Sequence, residues 1–117
     1  MQANADMVST GGVVADIGCD HGYLSIYLLE SGKKDRAIAM DVRPGPLSSA
    51  EENIRLAGLS DSIELRLSDG LEKLSIGEAD TVVIAGMGGP LMERGFMHQE
   101  AELLSARMIR TTSKSLL

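Results

Sequence analysis

The sequence of 117 residues predicts an α/β fold in which parallel strands, numbered along the chain, lie in the order 3-2-1-4. Three observations support this prediction. Short apolar runs typical of strands alternate with stretches of helical periodicity. The first run leads through a glycine-rich turn into a helical pattern, as in nucleotide-binding domains. The fourth run is apolar throughout, as in a strand buried on both faces. The expected architecture is half of a doubly wound sheet in one domain with right-handed crossovers.

The predicted elements cover most of the first 94 residues. Strands are expected at 13–17, 36–40, 63–68 and 81–85, and the strict alternation of the third fits an edge strand. Helices are expected at 22–31, from Pro44 to Gly58, and again from Leu91. Gly32 and Gly58 close the first two helices, and Pro44 suits a first helical turn.

Composition limits the function classes. Hydrophobic residues make up 44% of the chain, but no run is long enough to span a membrane and no signal-peptide pattern is present, so a soluble cytoplasmic protein is expected. Cys19 is the only cysteine and is interpreted as a small buried residue without chemistry. We assign no metal site. The formal net charge of −6 argues against strong nucleic-acid binding by this chain alone.

The glycine turn after the first strand indicates which nucleotide is bound. Gly18 and Gly22 bracket the turn, but a dinucleotide fingerprint requires a further glycine where Asp20 stands. Asp16, two residues before Gly18, would repel a pyrophosphate, whereas it suits a ligand that carries an ammonium and a sulfonium. These residues favour S-adenosylmethionine over NAD.

Three acids are expected at the carboxyl ends of successive strands, namely Asp16, Asp41 and Asp69. Asp41 lies about 20 residues past the glycine turn, the position from which an acid binds ribose hydroxyls. Its alternative role is that of a turn or capping residue before Pro44. Asp69 could accept a hydrogen bond from the exocyclic adenine amine, with Gly70 allowing close approach, although Asp-Gly is equally an ordinary turn. Together the three acids would form a rim for an adenosyl group.

Two further features adjoin this predicted site. His21 could contact the carboxylate of the ligand or the substrate, but a loop histidine hydrogen-bonded to backbone is the favoured interpretation. The glycine-rich segment after the fourth strand presents main chain rather than reactive side chains. It is expected to receive an aromatic acceptor base, with Met87 packing under the ligand. A flexible strand-to-helix turn is the alternative.

Four stretches, 14–24, 41–53, 68–70 and 83–89, resemble the bacterial tRNA (adenine(22)-N(1))-methyltransferases of the TrmK type, which are class I S-adenosylmethionine-dependent enzymes. The resemblance covers about residues 3–94. It implies that the target adenine lies near Gly86, Met87, Gly88 and Gly89 and needs no general base, because N1 of adenine carries no proton. It also implies a set of residues that bind the cofactor: Asp16, Gly18, Asp20, His21, Gly22, Asp41, Val42, Ser68, Asp69 and Gly70.

The segment 95–117 departs from the family pattern and is expected to be a helical or disordered tail. The later strands and the C-terminal helical extension of the family are also missing, which suggests a truncated or frame-shifted product. Its fourth strand would then be an exposed edge that promotes self-association, and turnover would be lost. Contacts with tRNA would lie mostly in the missing C-terminal part. The alternatives are an inactive remnant that binds S-adenosylmethionine and, opposed by Asp16 and Asp20, an NAD-dependent dehydrogenase.

Overall fold

The computed structural model describes residues 10–85 and 100–111, which form a parallel sheet of five strands flanked by helices. Helix α1 (Tyr23–Glu30) follows the first strand and helix α2 (Pro44–Leu56) follows the second. The α/β class and the predicted order 3-2-1-4 are confirmed, with a fifth strand added to give β3-β2-β1-β4-β5. The strands are β1 (Val13–Ile17), β2 (Arg36–Asp41), β3 (Ile63–Leu67), β4 (Thr81–Ala85) and β5 (Arg107–Thr111).

The core has two layers because successive strand residues point to opposite faces of the sheet. On one face, Leu28 of α1 and Ile54 of α2 pack in the same buried cluster as Val14. On the other face, Ala15 belongs to a cluster that includes Leu71 and Ala101, which come from the segments before β4 and β5. Each face of the central strand is therefore covered by a different part of the chain. Among the described residues, no helix is long and apolar enough to cross a membrane.

The region after residue 94 differs from the prediction. Residues 100–103 are helical, but Arg107–Thr111 form β5, which pairs in parallel with β4 so that Thr81 lies opposite Arg107. Ile109 of β5 is buried at 4% exposure. Strand β4 is therefore not an edge, and the expected self-association through its free backbone groups loses its structural basis. The proposed boundary at residue 94 lies outside the described residues.

A buried lysine joins the segments at the amino end of the sheet. The Nζ of Lys34 donates hydrogen bonds to the Gly11 carbonyl oxygen at 2.8 Å, to Thr81 Oγ1 at 3.2 Å and to Asp80 Oδ1. Asp80 also accepts a hydrogen bond from the Val13 N–H at 2.7 Å. Burial raises the pKa of Asp80, but the hydrogen bonds from Lys34 and Thr81 outweigh it and leave that pKa below its usual value. We call Gly11, Lys34, Asp80 and Thr81 the lysine cluster.

Candidate functional site

The loop after β1 crosses the carboxyl end of the sheet, at the point where the strand order reverses between β1 and β4. The Cys19 N–H donates to the carbonyl oxygen of Met40 in β2 at 2.9 Å, which ties the loop to the neighbouring strand. The Gly22 N–H donates to the Cys19 carbonyl oxygen at 2.9 Å and closes a tight turn before α1. Ligands of open α/β sheets bind at such switch points.

Every second residue of this loop has a left-handed backbone. The φ angles are +70° at Gly18, +56° at Asp20 and +81° at Gly22. Aspartate is one of the few residues besides glycine that visits this region at modest cost. Asp20, which interrupts the glycine pattern in the sequence, thus adopts the backbone conformation that glycine usually supplies. Its N–H donates to Asp41 Oδ2 at 3.1 Å.

The two loop glycines have different surroundings. A Cβ added at Gly18 would meet no atom within 4 Å, so the space beside this residue is open. A Cβ added at Gly22 would lie 3.2 Å from the Cβ of Ala50, because the start of α1 packs closely on α2. Gly18 therefore leaves room for a ligand, whereas Gly22 brings two helices together.

Asp41 ends β2 with a carboxyl group that is almost fully buried, at 2% exposure. Oδ2 accepts the Asp20 N–H, and Oδ1 accepts the backbone N–H of Arg43 at 3.0 Å. Burial raises the pKa of Asp41, but the hydrogen bonds from Arg43 and the Asp20 N–H outweigh it, so the net pKa is below its usual value. A buried carboxylate therefore stands beside the glycine loop in its charged form.

Arg43 is a site residue that the sequence analysis did not identify. Its Nε donates to Asp41 Oδ1 at 3.1 Å and its Nη2 donates to Asp41 Oδ2 at 3.3 Å. The Arg43 side chain is 59% exposed. The sequence contains a local signal for this pair, because an acid and an arginine two residues apart come directly before the prolines that begin a helix.

Asp16 lies on β1 with its side chain fully buried. Its Oδ2 accepts a hydrogen bond from the Ser25 hydroxyl in α1 at 2.9 Å, so the carboxylate helps to hold α1 against the sheet. Asp16 is thus enclosed beneath the glycine loop rather than exposed on its rim. Its predicted contact with a cofactor stays a prediction.

His21 contacts α2 from the top of the glycine loop. Its Nδ1 lies 2.8 Å from the Ser49 hydroxyl, and its backbone carbonyl oxygen accepts a hydrogen bond from Asn53 Nδ2 at 2.9 Å. The expected backbone partner of the ring is therefore replaced by a side chain. Ser49 and Asn53, which the sequence analysis did not identify as site residues, hold the loop in place.

The end of β3 lies next to Asp41. Leu67 is its register partner, and the Ser68 N–H donates to the Asp41 carbonyl oxygen at 2.9 Å. The Ser68 hydroxyl is used inside its own turn, where it donates to the Gly70 carbonyl oxygen and accepts the N–H of Lys73. Asp69 is exposed. This turn places Asp69 just beyond the buried Asp41.

Two large apolar side chains are exposed beside Asp41. Val42 is 59% exposed and Leu67 is 56% exposed, at the ends of adjacent strands. Exposed apolar side chains such as these can pack on the faces of an aromatic ligand. The carboxyl end of the sheet therefore combines the buried carboxylate of Asp41, open space beside the main chain at Gly18 and exposed apolar side chains.

The predicted acceptor loop, Gly86, Met87, Gly88 and Gly89, lies outside the described residues. Within the described part of the chain, no group of three or more acidic, histidine or cysteine side chains could hold a metal ion. The groups that the described site offers to a ligand are a carboxylate, exposed apolar side chains and backbone.

Comparison with known proteins agrees with this geometry. The family described as "Methyltransferase domain" matches residues 1–113, which extends past residue 94, where we expected the resemblance to end. The chain is 44% identical over 92 residues to the tRNA (adenine(22)-N(1))-methyltransferase of Bacillus subtilis, a match that covers 79% of this chain and 39% of that protein.

Solved structures give the same result. The crystal structure of the B. subtilis M1A22 tRNA methyltransferase TrmK superposes with a TM-score of 0.82 at 38% identity, covering 93% of this chain and 47% of that one. M. capricolum TrmK in complex with S-adenosyl-homocysteine superposes with a TM-score of 0.67 at 37% identity, covering 73% and 39%. The chain thus spans less than half the length of these relatives.

Proposed function

The chain belongs to the methyltransferase domain family, and we propose that it binds S-adenosylmethionine at the carboxyl ends of β1, β2 and β3. We further propose that it forms the cofactor-binding part of a tRNA adenine-N1 methyltransferase that acts in the cytoplasm. The relatives described above act on tRNA or hold the cofactor product, which supports both statements. All the proposed cofactor contacts fall within residues 1–94.

The observation that carries this proposal is the carboxylate of Asp41, which is buried, charged and placed beside the glycine loop. A carboxylate at the end of the second strand can accept both hydroxyls of a ribose. Charged acceptors make stronger hydrogen bonds than neutral ones, so the carboxylate is a suitable partner for the two ribose hydroxyls. We assign the ribose to Asp41.

The adenine is assigned to the neighbouring strand ends. Val42 and Leu67 offer exposed apolar surface for the faces of the ring. Asp69, in the turn after β3, can accept a hydrogen bond from the exocyclic amine, and Gly70 keeps the backbone free of a side chain there. The Ser68 hydroxyl, already used within the turn, would act by holding Asp69 and Gly70 in position.

The amino-acid end of the cofactor is assigned to the loop after β1. The open space at Gly18 admits a ligand close to the backbone. Asp16 lies beneath the loop, where a negative charge is less screened than in water and can favour an ammonium group above it. Asp20, His21 and Gly22 would shape this end of the site through the backbone.

The proposed methyl transfer requires no side chain that reacts with the substrate. When bound, the cofactor supplies an activated methyl group. Adenine N1 presents a lone pair and carries no proton, so no residue has to act as a general base. The contribution of the protein would be orientation, which can lower a barrier by about 7–11 kcal/mol. We propose that the main chain of 86–89 receives the target base, turned out of its stack.

Binding of tRNA would require positive charge, and this chain has a net negative charge. The formal net charge of −6 repels a polyanion, which argues against strong tRNA binding by this chain alone. We propose that most tRNA contacts are made by a region that corresponds to the part of the relatives outside the matched segment.

Calorimetric titration with S-adenosylmethionine and, side by side, NAD tests the cofactor assignment. We expect S-adenosylmethionine to bind and NAD to give no measurable heat. Asp41→Ala should abolish binding with an unchanged circular dichroism spectrum, because the ribose hydroxyls lose their acceptor.

Asp61→Ala is the matched control, since Asp61 is an exposed acid that precedes β3 at the opposite end of the sheet. Its affinity should equal that of the unmodified chain. Asp41→Asn, which keeps the shape of the side chain, replaces Asp41→Ala if the latter fails to fold. Unchanged affinity in both Asp41 variants would remove Asp41 from the site.

A further inference from the structure

Every acceptor position of the Asp41 carboxylate is occupied by protein. An ionised carboxylate offers about four lone-pair positions, two on each oxygen. Oδ1 accepts the Arg43 N–H and Arg43 Nε, and Oδ2 accepts the Asp20 N–H and Arg43 Nη2. A ribose that binds to Asp41 must therefore replace one of these donors on each oxygen.

The four donors are of two kinds. The N–H groups of Asp20 and Arg43 belong to the backbone of the glycine loop and of the turn into α2, so they stay where the fold puts them. The other two donors, Nε and Nη2, belong to the Arg43 side chain and reach one oxygen each. The two hydroxyls of a ribose can supply the same pattern, one hydrogen-bond donor to each carboxylate oxygen.

We propose that the Arg43 guanidinium is a placeholder for the ribose diol, which occupies Asp41 until a nucleoside ligand displaces it. This inference rests on the proposed function, because it assumes that Asp41 binds ribose. Arg43 then lowers the affinity for the cofactor in exchange for keeping a buried carboxylate paired whenever the site holds no ligand.

The burial of the two partners makes such an exchange possible. Asp41 is 2% exposed and must keep hydrogen-bond donors, whereas Arg43 is 59% exposed and can turn its charge into water. When Arg43 leaves, only Asp41 has to be given new donors, because the guanidinium is hydrated by the water it already reaches. Arg43 is also the N-cap residue of α2 but makes no side-chain capping bond, so its side chain can leave without loss to the helix.

The test is calorimetric titration with S-adenosylhomocysteine, the probe ligand, on the unmodified chain and on Arg43→Met. Methionine keeps the apolar stem, and the backbone N–H to Asp41 is retained. We expect Arg43→Met to bind about two- to fivefold tighter, because the ligand no longer has to displace an ion pair of which one partner, Arg43, is exposed to solvent. Arg43→Lys, with one compact charge, should lie between the two.

Arg55→Met is the matched control. Arg55 also lies on α2, is 61% exposed and pairs with a carboxylate, that of Glu52, but it does not contact Asp41. Its affinity for S-adenosylhomocysteine should equal that of the unmodified chain. Salt gives a second measurement: since ions screen the exposed pair, the affinity of the unmodified chain should rise with ionic strength, and that of Arg43→Met should not.

The outcomes separate the two proposals. Equal or weaker binding by Arg43→Met, with binding by the unmodified chain intact, overturns the placeholder and leaves the proposed function standing. No heat from any variant, including the unmodified chain, overturns both. Tighter binding confined to the Arg43 variants, with a salt dependence that disappears in Arg43→Met, supports the placeholder.

Discussion

The two ends of the sheet each hold a carboxylate paired with a cation, and the burial of the partners is reversed between them. At the amino end, the Lys34 side chain is fully buried and Asp80 is 47% exposed. At the carboxyl end, Asp41 is 2% exposed and Arg43 is 59% exposed. The same chemistry therefore serves two purposes, according to which partner can reach water.

The difference follows from the cost of an unpaired buried charge. Lys34 donates hydrogen bonds to Gly11, Asp80 and Thr81. Its buried ammonium group cannot break these bonds without being left unpaired, so we expect the lysine cluster to stay intact in the folded protein. Arg43 can leave, provided that another donor satisfies Asp41. The ion pair at the amino end therefore stabilises the fold, whereas at the carboxyl end the Arg43 guanidinium can be exchanged for another hydrogen-bond donor on Asp41.

The largest expected effect is that of Lys34→Met on stability. The substitution removes the charged partner of Asp80, which keeps the Val13 N–H and the Thr81 hydroxyl, and leaves the Gly11 carbonyl oxygen without its lysine donor. We expect a loss of about 3 kcal/mol in the free energy of unfolding, the low end for breaking a buried pair, because Asp80 is half-exposed. Urea denaturation measures it.

Lys73→Met is the control, since Lys73 is exposed, and it should change stability by less than about 0.5 kcal/mol. The folded Lys34→Met protein should keep its affinity for S-adenosylhomocysteine. A loss of affinity comparable to that of Asp41→Ala would contradict the division of labour between the two ends.

A smaller effect is expected from Gly22→Ala at the carboxyl end. Gly22 has a φ of +81°, and its added Cβ would lie 3.2 Å from that of Ala50. The left-handed backbone and the close contact together should cost about 2 kcal/mol, and the displaced loop should bind S-adenosylhomocysteine more weakly. Thermal unfolding and calorimetry measure the two effects.

Gly32→Ala isolates the backbone contribution. Gly32 has a similar φ of +78°, but a Cβ there would meet no atom within 4 Å. It should cost only about 1 kcal/mol and leave the affinity unchanged. Equal effects of the two substitutions on stability and affinity would mean that the contact with Ala50 is unimportant.

The smallest effect is expected at a third ion pair, in which neither partner is fully buried. Glu78 accepts hydrogen bonds from Arg66 of β3, which hold its pKa at about 2 instead of 4.5. Because the folded state favours the charged form, this pair stabilises the protein above about pH 4.5, and its contribution is lost as the pH falls towards 2.

Glu78→Gln should therefore lower stability by about 1 kcal/mol at neutral pH, and the difference from the unmodified chain should shrink as the solution is acidified. Denaturant titrations between neutral and acidic pH measure this trend. Glu72→Gln, at an exposed acid, should show no such pH-dependent difference. A difference that grows on acidification would contradict the sign of the pKa shift.

Local patterns in the sequence predicted most of the sheet. The bounds of β1 and β4 agree with the expected ranges 13–17 and 81–85, because each is a compact apolar run. Strand β5 was not predicted. Its sequence, Arg-Met-Ile-Arg-Thr, is short and carries two arginines, so its charges resembled those of a solvated tail, although Ile109 is buried.

The sequence indicated where the acids lie along the strands but not which groups they contact. Asp16 lies in the last two residues of β1, Asp41 ends β2 and Asp69 follows β3, so their positions follow from the strand bounds. The enclosure of Asp16 by Ser25 depends on how α1 packs on the sheet, which periodicity does not reveal. The pairing of Lys34 with Asp80 joins residues 46 positions apart, and no local pattern indicates it.

The spacing of these contacts along the chain also bears on the order of folding. The bond from Asp20 to Asp41 closes 21 positions, whereas that from Val13 to Asp80 closes 67. Short closures cost less entropy and form sooner. We therefore expect β1, β2 and β3 to assemble before β4 joins them. A ligand added during refolding would then meet the carboxyl ends of β1, β2 and β3 before the lysine cluster has formed.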